Sequence, residues 1–194
     1  MSIFLIDPHP LMREAMGAVV RRLRAAGTVT ELDRLSAVAR AQEAHGTPEL
    51  LCIELVLPDS SGVSGVVDLR QRFPDVPIVV LSALPGQEYA DLSMKAGANA
   101  YLHKSASVSE ITEVLRVFLS DSLDAEASTP IEKLSKRQKQ LLSLIDKGMS
   151  NRDIAETLQI SEHTVKVHLW RLFRRLEVKS RSQASHLART RGLI

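Results

Sequence analysis

Four polar side chains sit at the ends of four short apolar runs. Asp7 follows Ser2–Ile6, Glu54 lies in Leu50–Leu55, Ser82 follows Pro77–Leu81, and Lys104 comes two residues after Ala100–Leu102. Two carboxylates, a hydroxyl and an ammonium brought together can hold a divalent cation and stabilise a phosphoryl group in transfer. The same four groups can also satisfy one another as a structural ion pair, with Ser82 donating a hydrogen bond, because a partly buried carboxylate needs a partner.

A second set lies on one stretch near the carboxyl end. At about 100° per residue, Val165, Leu169, Leu172 and Leu176 share one face of a helix, and His163, Lys166, Val167, Trp170, Arg171 and Arg174 share the other. An apolar face seated on its own domain with long donors outward is what a helix needs to enter a DNA groove. Lys166 suits guanine O6 and N7, and Val167 suits a thymine methyl. Arg171, Arg174, Arg175, Lys179 and Arg181 suit phosphates, which position a protein without specifying sequence. Trp170 is exposed on this wheel. His168, at the edge of the apolar face, fits packing or a phosphate contact better than a metal.

The elements that must carry these groups are legible around them. Residues 1–121 alternate short apolar runs, with Val29–Leu32 as the fifth, and amphipathic stretches. In the first helix Leu11, Ala15, Met16, Val19, Val20 and Leu23 form one stripe, with Pro10 in its first turn and Gly27 at its end. The last opens on Ser107 and Glu110, a capping-box pair, and turns Ile111, Val114, Leu115 and Phe118 inward. Five such βα units predict a doubly wound parallel sheet, whose ligands bind at the carboxyl ends of the strands. No Gly-x-Gly-x-x-Gly or Walker loop follows a strand, so a nucleotide site is not expected.

Residues 122–131 are small, polar and acidic, and read as a linker. Residues 132–194 read as four helices. Ser135 with Gln138 and Ser150 with Asp153 are capping pairs, Gly148 closes the first helix, Gln159-Ile160 makes a turn and Ser161 caps the third. The fourth runs from Ser182 to Arg191. Two short helices about a tight turn form a helix-turn-helix signal. Formal charge divides the same way: −4 over 1–121, −2 over 122–131 and +8 over 132–194. The basic segment suits a polyanion. The single cysteine, Cys52, excludes an internal disulfide, and no signal-peptide core or run of about 18 apolar residues is present. A cytoplasmic chain without a membrane span is expected.

The segments Leu134–Gln138, Gly148–Ala155, Ile160–Leu169 and Leu176–Ala184 closely resemble the LuxR-type DNA-binding domain, over essentially all of 132–194. Asp7-Pro8-His9-Pro10-Leu11 with Arg13-Glu14, Leu55–Pro58, Val79–Ala83 and Gly97–Lys104 resemble the receiver domain of NarL/FixJ-group response regulators, over 1–121. The resemblance implies a flavodoxin-like (βα)5 receiver joined to an all-α four-helix output domain. It also implies a transcription regulator, not an enzyme, that binds double-stranded promoter DNA as a homodimer, with a regulatory protein as a further partner.

Such receivers take a phosphoryl group on an aspartate beside an acidic pair and magnesium. Here Glu54 stands at the acceptor position and Pro8 replaces one acid of the pair. Proline offers no side-chain ligand to an ion that demands octahedral oxygens, so magnesium binding is expected to be weak or absent. Glu54 reaches about a bond length too far for in-line attack. The pocket of Asp7, Pro8, Glu54, Ser82, Tyr101 and Lys104 is therefore expected to act without conventional phosphorylation, leaving the receiver a dimerisation or interaction module. Tyr101 matches the family's aromatic switch and is equally a packed aromatic beside the last strand. Glu54 is open to three readings: a structural partner of Lys104, a partial mimic of a phosphorylated aspartate, or part of a cleft for another ligand. The alternatives for the whole chain are a weak or unconventional phosphoryl acceptor, a protein-only adaptor, and a small phosphotransferase.

Overall fold

The computed structural model describes residues 2–24, 27–119, 134–178 and 180–194, without the side chain of His163. The chain divides into two units, Met1–Leu119 and Ser120–Ile194. The linker expected at 122–131 lies outside the described residues.

In the first unit, β1 (Ser2–Ile6), β2 (Thr28–Leu32), β3 (Leu50–Ile53), β6 (Ile78–Ser82) and β7 (Ala100–His103) form one parallel sheet in the order β2-β1-β3-β6-β7. The interleaved helices are α1 (Pro10–Leu23), α2 (Ala37–His45), α3 (Ser64–Arg72), α4 (Gln87–Lys95) and α5 (Val108–Leu119). Right-handed crossovers through helices cover both faces of such a sheet, so its central strands are apolar throughout. Accordingly β1, β3 and β6 are buried along their whole length, whereas the edge strand β2 is only partly covered.

Three expectations need correction here. Strand β3 stops at Ile53, short of the expected Leu55. The main-chain N–H groups of Leu55 and Val56 turn onto the Glu54 carboxylate at 2.7 and 3.3 Å, so the ladder cannot continue. A small hairpin of β4 (Val56–Leu57) and β5 (Ser60–Ser61) follows, which the sequence reading had not assigned. On α1 the buried residues are Met16, Gly17 and Val20, while Leu11 is 78% exposed and Ala15 is exposed as well. Leu11 stands in the first turn, ahead of the part of the helix that overlies the sheet. The helix also ends at Leu23, before Gly27.

The inward face of α5 matches expectation, with Ile111, Val114, Leu115 and Phe118 buried, and Ser107 Oγ accepts the Glu110 N–H at 3.1 Å.

The second unit comprises α6 (Lys136–Asp146), α7 (Asn151–Leu158), α8 (Glu162–Arg175) and α9 (Arg181–Thr190). Both reciprocal capping boxes are formed, Ser135 with Gln138 and Ser150 with Asp153, and the Ser161 side chain accepts the Thr164 N–H. Gly148 takes φ +77° just past α6, where an L side chain is strained. Gln159 takes φ 54° between α7 and α8, making the tight turn. Leu142, Ile145, Ile154, Val165, Leu172 and Ala184 lie at the centre of an apolar core shared by all four helices.

Candidate functional site

The parallel sheet brings Asp7, Glu54, Ser82 and Lys104 together at the carboxyl ends of β1, β3, β6 and β7. Glu54 is 2% exposed and Ser82 fully buried. Lys104 Nζ lies 2.7 Å from Glu54 Oε2 and 2.5 Å from Asp7 Oδ2, so one ammonium bridges both carboxylates. The Ser82 hydroxyl donates to Glu54 Oε1, and the Ala83 N–H donates to Oε2 at 3.3 Å. Asp7 Oδ1 accepts the His9 N–H at 2.9 Å and faces His9 Nδ1 at 3.0 Å. Arg13 Nη1 holds the same turn by donating to the Asp7 carbonyl at 2.7 Å.

Burial alone would raise the Glu54 carboxyl. Hydrogen bonds from Lys104 and Ser82 and the Lys104 charge outweigh it and hold the group below its ordinary value. A lowered folded value means that the carboxylate stabilises the fold above about pH 4.5 and loses that contribution as pH falls through the folded value. The first unit should therefore lose stability as pH falls below about 4.5, and Glu54→Gln should flatten that loss. Chemical denaturation across this range checks it; identical acid profiles for both proteins would refute it.

The second unit presents α8. Lys166 is part-exposed, with Nζ 3.9 Å from Glu162 Oε1, and Arg174 is exposed with its guanidinium 5.6 Å from the centre of the Trp170 ring. Lys166, Trp170 and Arg174 follow one another four residues apart and so form one stripe.

Residues 3–116 match the family model for the response regulator receiver domain, and residues 132–188 that for bacterial regulatory proteins of the luxR family. The chain belongs to the response regulators of the NarL/FixJ group. Among relatives of this response regulator, the glycerol metabolism activator of Pseudomonas putida is 28% identical over 94% of this chain and 92% of its own. The nitrate/nitrite response regulator protein NarL of Escherichia coli is 28% identical over 95% and 93%. A LuxR-family response regulator from Aurantimonas sp. shares 26% identity with a TM-score of 0.55 over 61% of this chain and 84% of that one. RcsB from Salmonella enterica serovar Typhimurium, bound to promoter DNA, gives a TM-score of 0.55 at 16% identity over 96% and 97%, a likeness of fold. Together the two domains make the chain a DNA-binding transcriptional regulator and not an enzyme.

For a response regulator, the strand-end donor set suits a magnesium ion poorly. Lys104 already bridges both carboxylates, and Pro8 supplies no side-chain oxygen. Among the described residues no group of three or more His, Cys, Asp or Glu could hold a metal. Tyr101 is buried and its hydroxyl donates to the Leu84 carbonyl at 2.6 Å; burial raises the phenol, so it stays a donor. Cys52 is buried too, and burial pushes its thiol up to about 12, which leaves it unreactive at neutral pH.

Several residues of the response regulator's output domain depart from the helical wheel. Val167, expected outward, is fully buried: a wheel assumes one covered face, whereas an apolar side chain leaves water wherever packing covers it. Trp170 is half-buried, not exposed. Arg175 donates to Gln138 Oε1 at 3.0 Å, and Arg181 donates to the Met149 carbonyl and to Asn151 Oδ1. Both arginines tie helices together, because their guanidinium groups reach main-chain and amide oxygens before solvent. Arg171 is half-buried. Burial, with the Arg137 and Arg171 charges, pulls His168 down to about 4, so at neutral pH its imidazole packs uncharged. Lys179 and the side chain of His163 lie outside the described residues.

Proposed function

We propose that this chain is a promoter-binding regulator that engages DNA as a homodimer, and that its receiver works without conventional aspartyl phosphorylation and without magnesium. The observation that carries the second half is Glu54. It stands at the acceptor position, 2% exposed, with both oxygens taken up by Lys104, Ser82 and main-chain N–H groups. A nucleophile so engaged, one methylene longer than aspartate, is not placed for in-line attack on a phosphoryl donor. Asp7 is likewise occupied by Lys104 and His9. The DNA half is supported by the luxR-family match and by the Lys166–Trp170–Arg174 stripe. RcsB dimers bound to DNA, in a protein of the same fold, support the homodimer. The faces offered for pairing or for a regulatory protein are those of α1 and α5, where Leu11 and Val108 stand exposed.

The test is exposure of the purified chain to acetyl phosphate with and without magnesium, followed by intact mass and DNA affinity. No phosphoryl adduct and no change in affinity are expected; an adduct formed at the rate of an ordinary receiver overturns the reading. DNA affinity itself should fall roughly a thousandfold between 50 and 200 mM salt if about six phosphates are contacted. Arg174→Ala should reduce the salt slope by about one contact, equally on all sequences. Binding that ignores salt would favour a protein-only adaptor.

A further inference from the structure

Three sulfur-bearing side chains line one cavity beneath α1. Met12 and Met16, four residues apart, share one face of that helix, and Cys52 lies on β3. The strand pleat fixes the side that Cys52 takes. Its neighbours Leu51 and Ile53 belong to the core on one face of the sheet, so Cys52 turns to the other, beside Leu5 of the paired strand β1. Met12, Met16 and Cys52 meet there in the lining of the cavity, whose polar lining is Asp7, Arg13 and Glu54.

Size and lining decide what fits. The enclosed space holds roughly one water-sized sphere, too little for an organic molecule. A buried water needs about 2–4 polar partners. Here Lys104 holds both carboxylates, and Arg13 donates to the Asp7 carbonyl at 2.7 Å. A hard cation is refused for the same reason. What is left is sulfur. Met16 and Cys52 are 6% and 4% exposed, and Cys52 has neither a disulfide nor a hydrogen-bond partner among the described residues. Thioether and thiolate donors select soft ions such as copper(I). A monovalent ion also matches the charge: one thiolate and two neutral thioethers close the site at zero net charge, as apolar surroundings require. Burial keeps the thiol protonated against water but not against a metal, since a coordinating thiol releases its proton, here to solvent. The unbranched methionine side chains have the rotational freedom to bring both sulfurs to the ~2.3 Å of a metal–sulfur bond.

We infer that the cavity beneath α1 is a site for one soft monovalent metal ion, copper(I), ligated by Met12, Met16 and Cys52. The ion ties α1 to β3 from below, while the outward side of the same helix carries the exposed Leu11 offered for pairing. The site is independent of the phosphorylation reading: its ligands are sulfur, and its ion takes no oxygen of Asp7 or Glu54.

The experiment uses the full chain, reduced and with carbon-13 in its methionine methyl groups, and takes copper(I) and silver(I) as probes. One equivalent of either should shift the Met12 and Met16 signals and leave those of Met94 and Met149 in place. At about a hundredfold excess over Kd, copper(I) should raise the Tm of the first unit by about 10 °C. Magnesium should do neither. Met12→Leu and Met16→Leu conserve core volume, and each should weaken copper(I) binding at least about tenfold. Cys52→Ala should weaken it further. Shifts confined to Met94 or Met149 overturn the proposal, as does an affinity that survives in Met12→Leu/Met16→Leu and depends on Cys52 alone. Should Cys52→Ala fail to fold, the two leucine variants and the methyl shifts decide the outcome by themselves.

Discussion

Leu172→Ala should abolish DNA binding at 37 °C. Leu172 is fully buried on the inward face of α8, in the core formed with Leu142, Ile145, Ile154 and Val165. Truncating a buried leucine costs about 2–5 kcal/mol, the lost transfer energy plus the cavity left behind. A unit of about 60 residues has only some 3–9 kcal/mol of stability in all, at 0.05–0.15 kcal/mol per residue. The substitution therefore removes much or all of the margin that holds α8 in place for a DNA groove. Calorimetry should show the transition of the second unit lowered by at least 10 °C or absent, and that of the first unit unchanged. Lys166→Ala is the contrast, since it should weaken binding to the specific site while leaving both transitions alone. A Leu172→Ala protein with an unaltered second transition would refute the packing assigned to α8.

Arg70→Ala should be the most damaging polar substitution in the first unit. The guanidinium donates to the carbonyls of Phe73, Pro74 and Val76 at 3.0, 2.7 and 2.9 Å, and to that of Gly97 at 3.1 and 2.8 Å. It also reaches Asn99 Oδ1 at 2.8 Å, which in turn accepts the Ile78 N–H at 2.7 Å. One side chain thus secures the loops entering β6 and β7, the two strands that deliver Ser82 and Lys104. Gly97 is part of the same clamp. It takes φ +106°, and a Cβ there would meet Arg70 Cγ at 2.8 Å. Hydrogen bonds to a charged group contribute about 1.5–3 kcal/mol each and do not add. A loss on the order of 3 kcal/mol, or about 10 °C in the Tm of the first unit, is expected. Arg70→Lys should recover little, because an ammonium cannot span the fork of acceptors. Full recovery by lysine would mean that charge, not geometry, is what the site needs.

Some of this molecule was legible in the residues alone. The sheet strands follow from apolar runs, and the helix starts of the second unit follow from Ser135, Ser150 and Ser161, each bonded to an N–H three residues on. The turn at Gln159-Ile160 and the inward faces of α5 and α8 follow from spacing. Periodicity and caps act within a few residues, and a linear sequence displays that range directly. The strand ends were legible as well, because a parallel sheet places the residues after its strands on one rim whatever the details of packing.

What only the tertiary structure decided lies at longer range. Asp59 holds the turn that leads into α2, accepting the N–H groups of Leu35 and Ser36 at 2.9 and 2.8 Å across more than twenty residues. Asp146 accepts Ser185 Oγ and Arg189 Nε at 2.5 and 2.7 Å, joining α6 to α9. Arg175 and Arg181 found acceptors on Gln138, Met149 and Asn151 that their spacing did not announce, and Val167 is covered by packing although the helical wheel turned it outward. The resemblance implied that Glu54 stands at the acceptor position; the fold decided that Lys104, Ser82 and main-chain N–H groups would engage its carboxylate. A residue's type and local period fix which face it favours. Its partner is fixed by which distant donor lies within about 3 Å, and that distance exists only once the chain is closed.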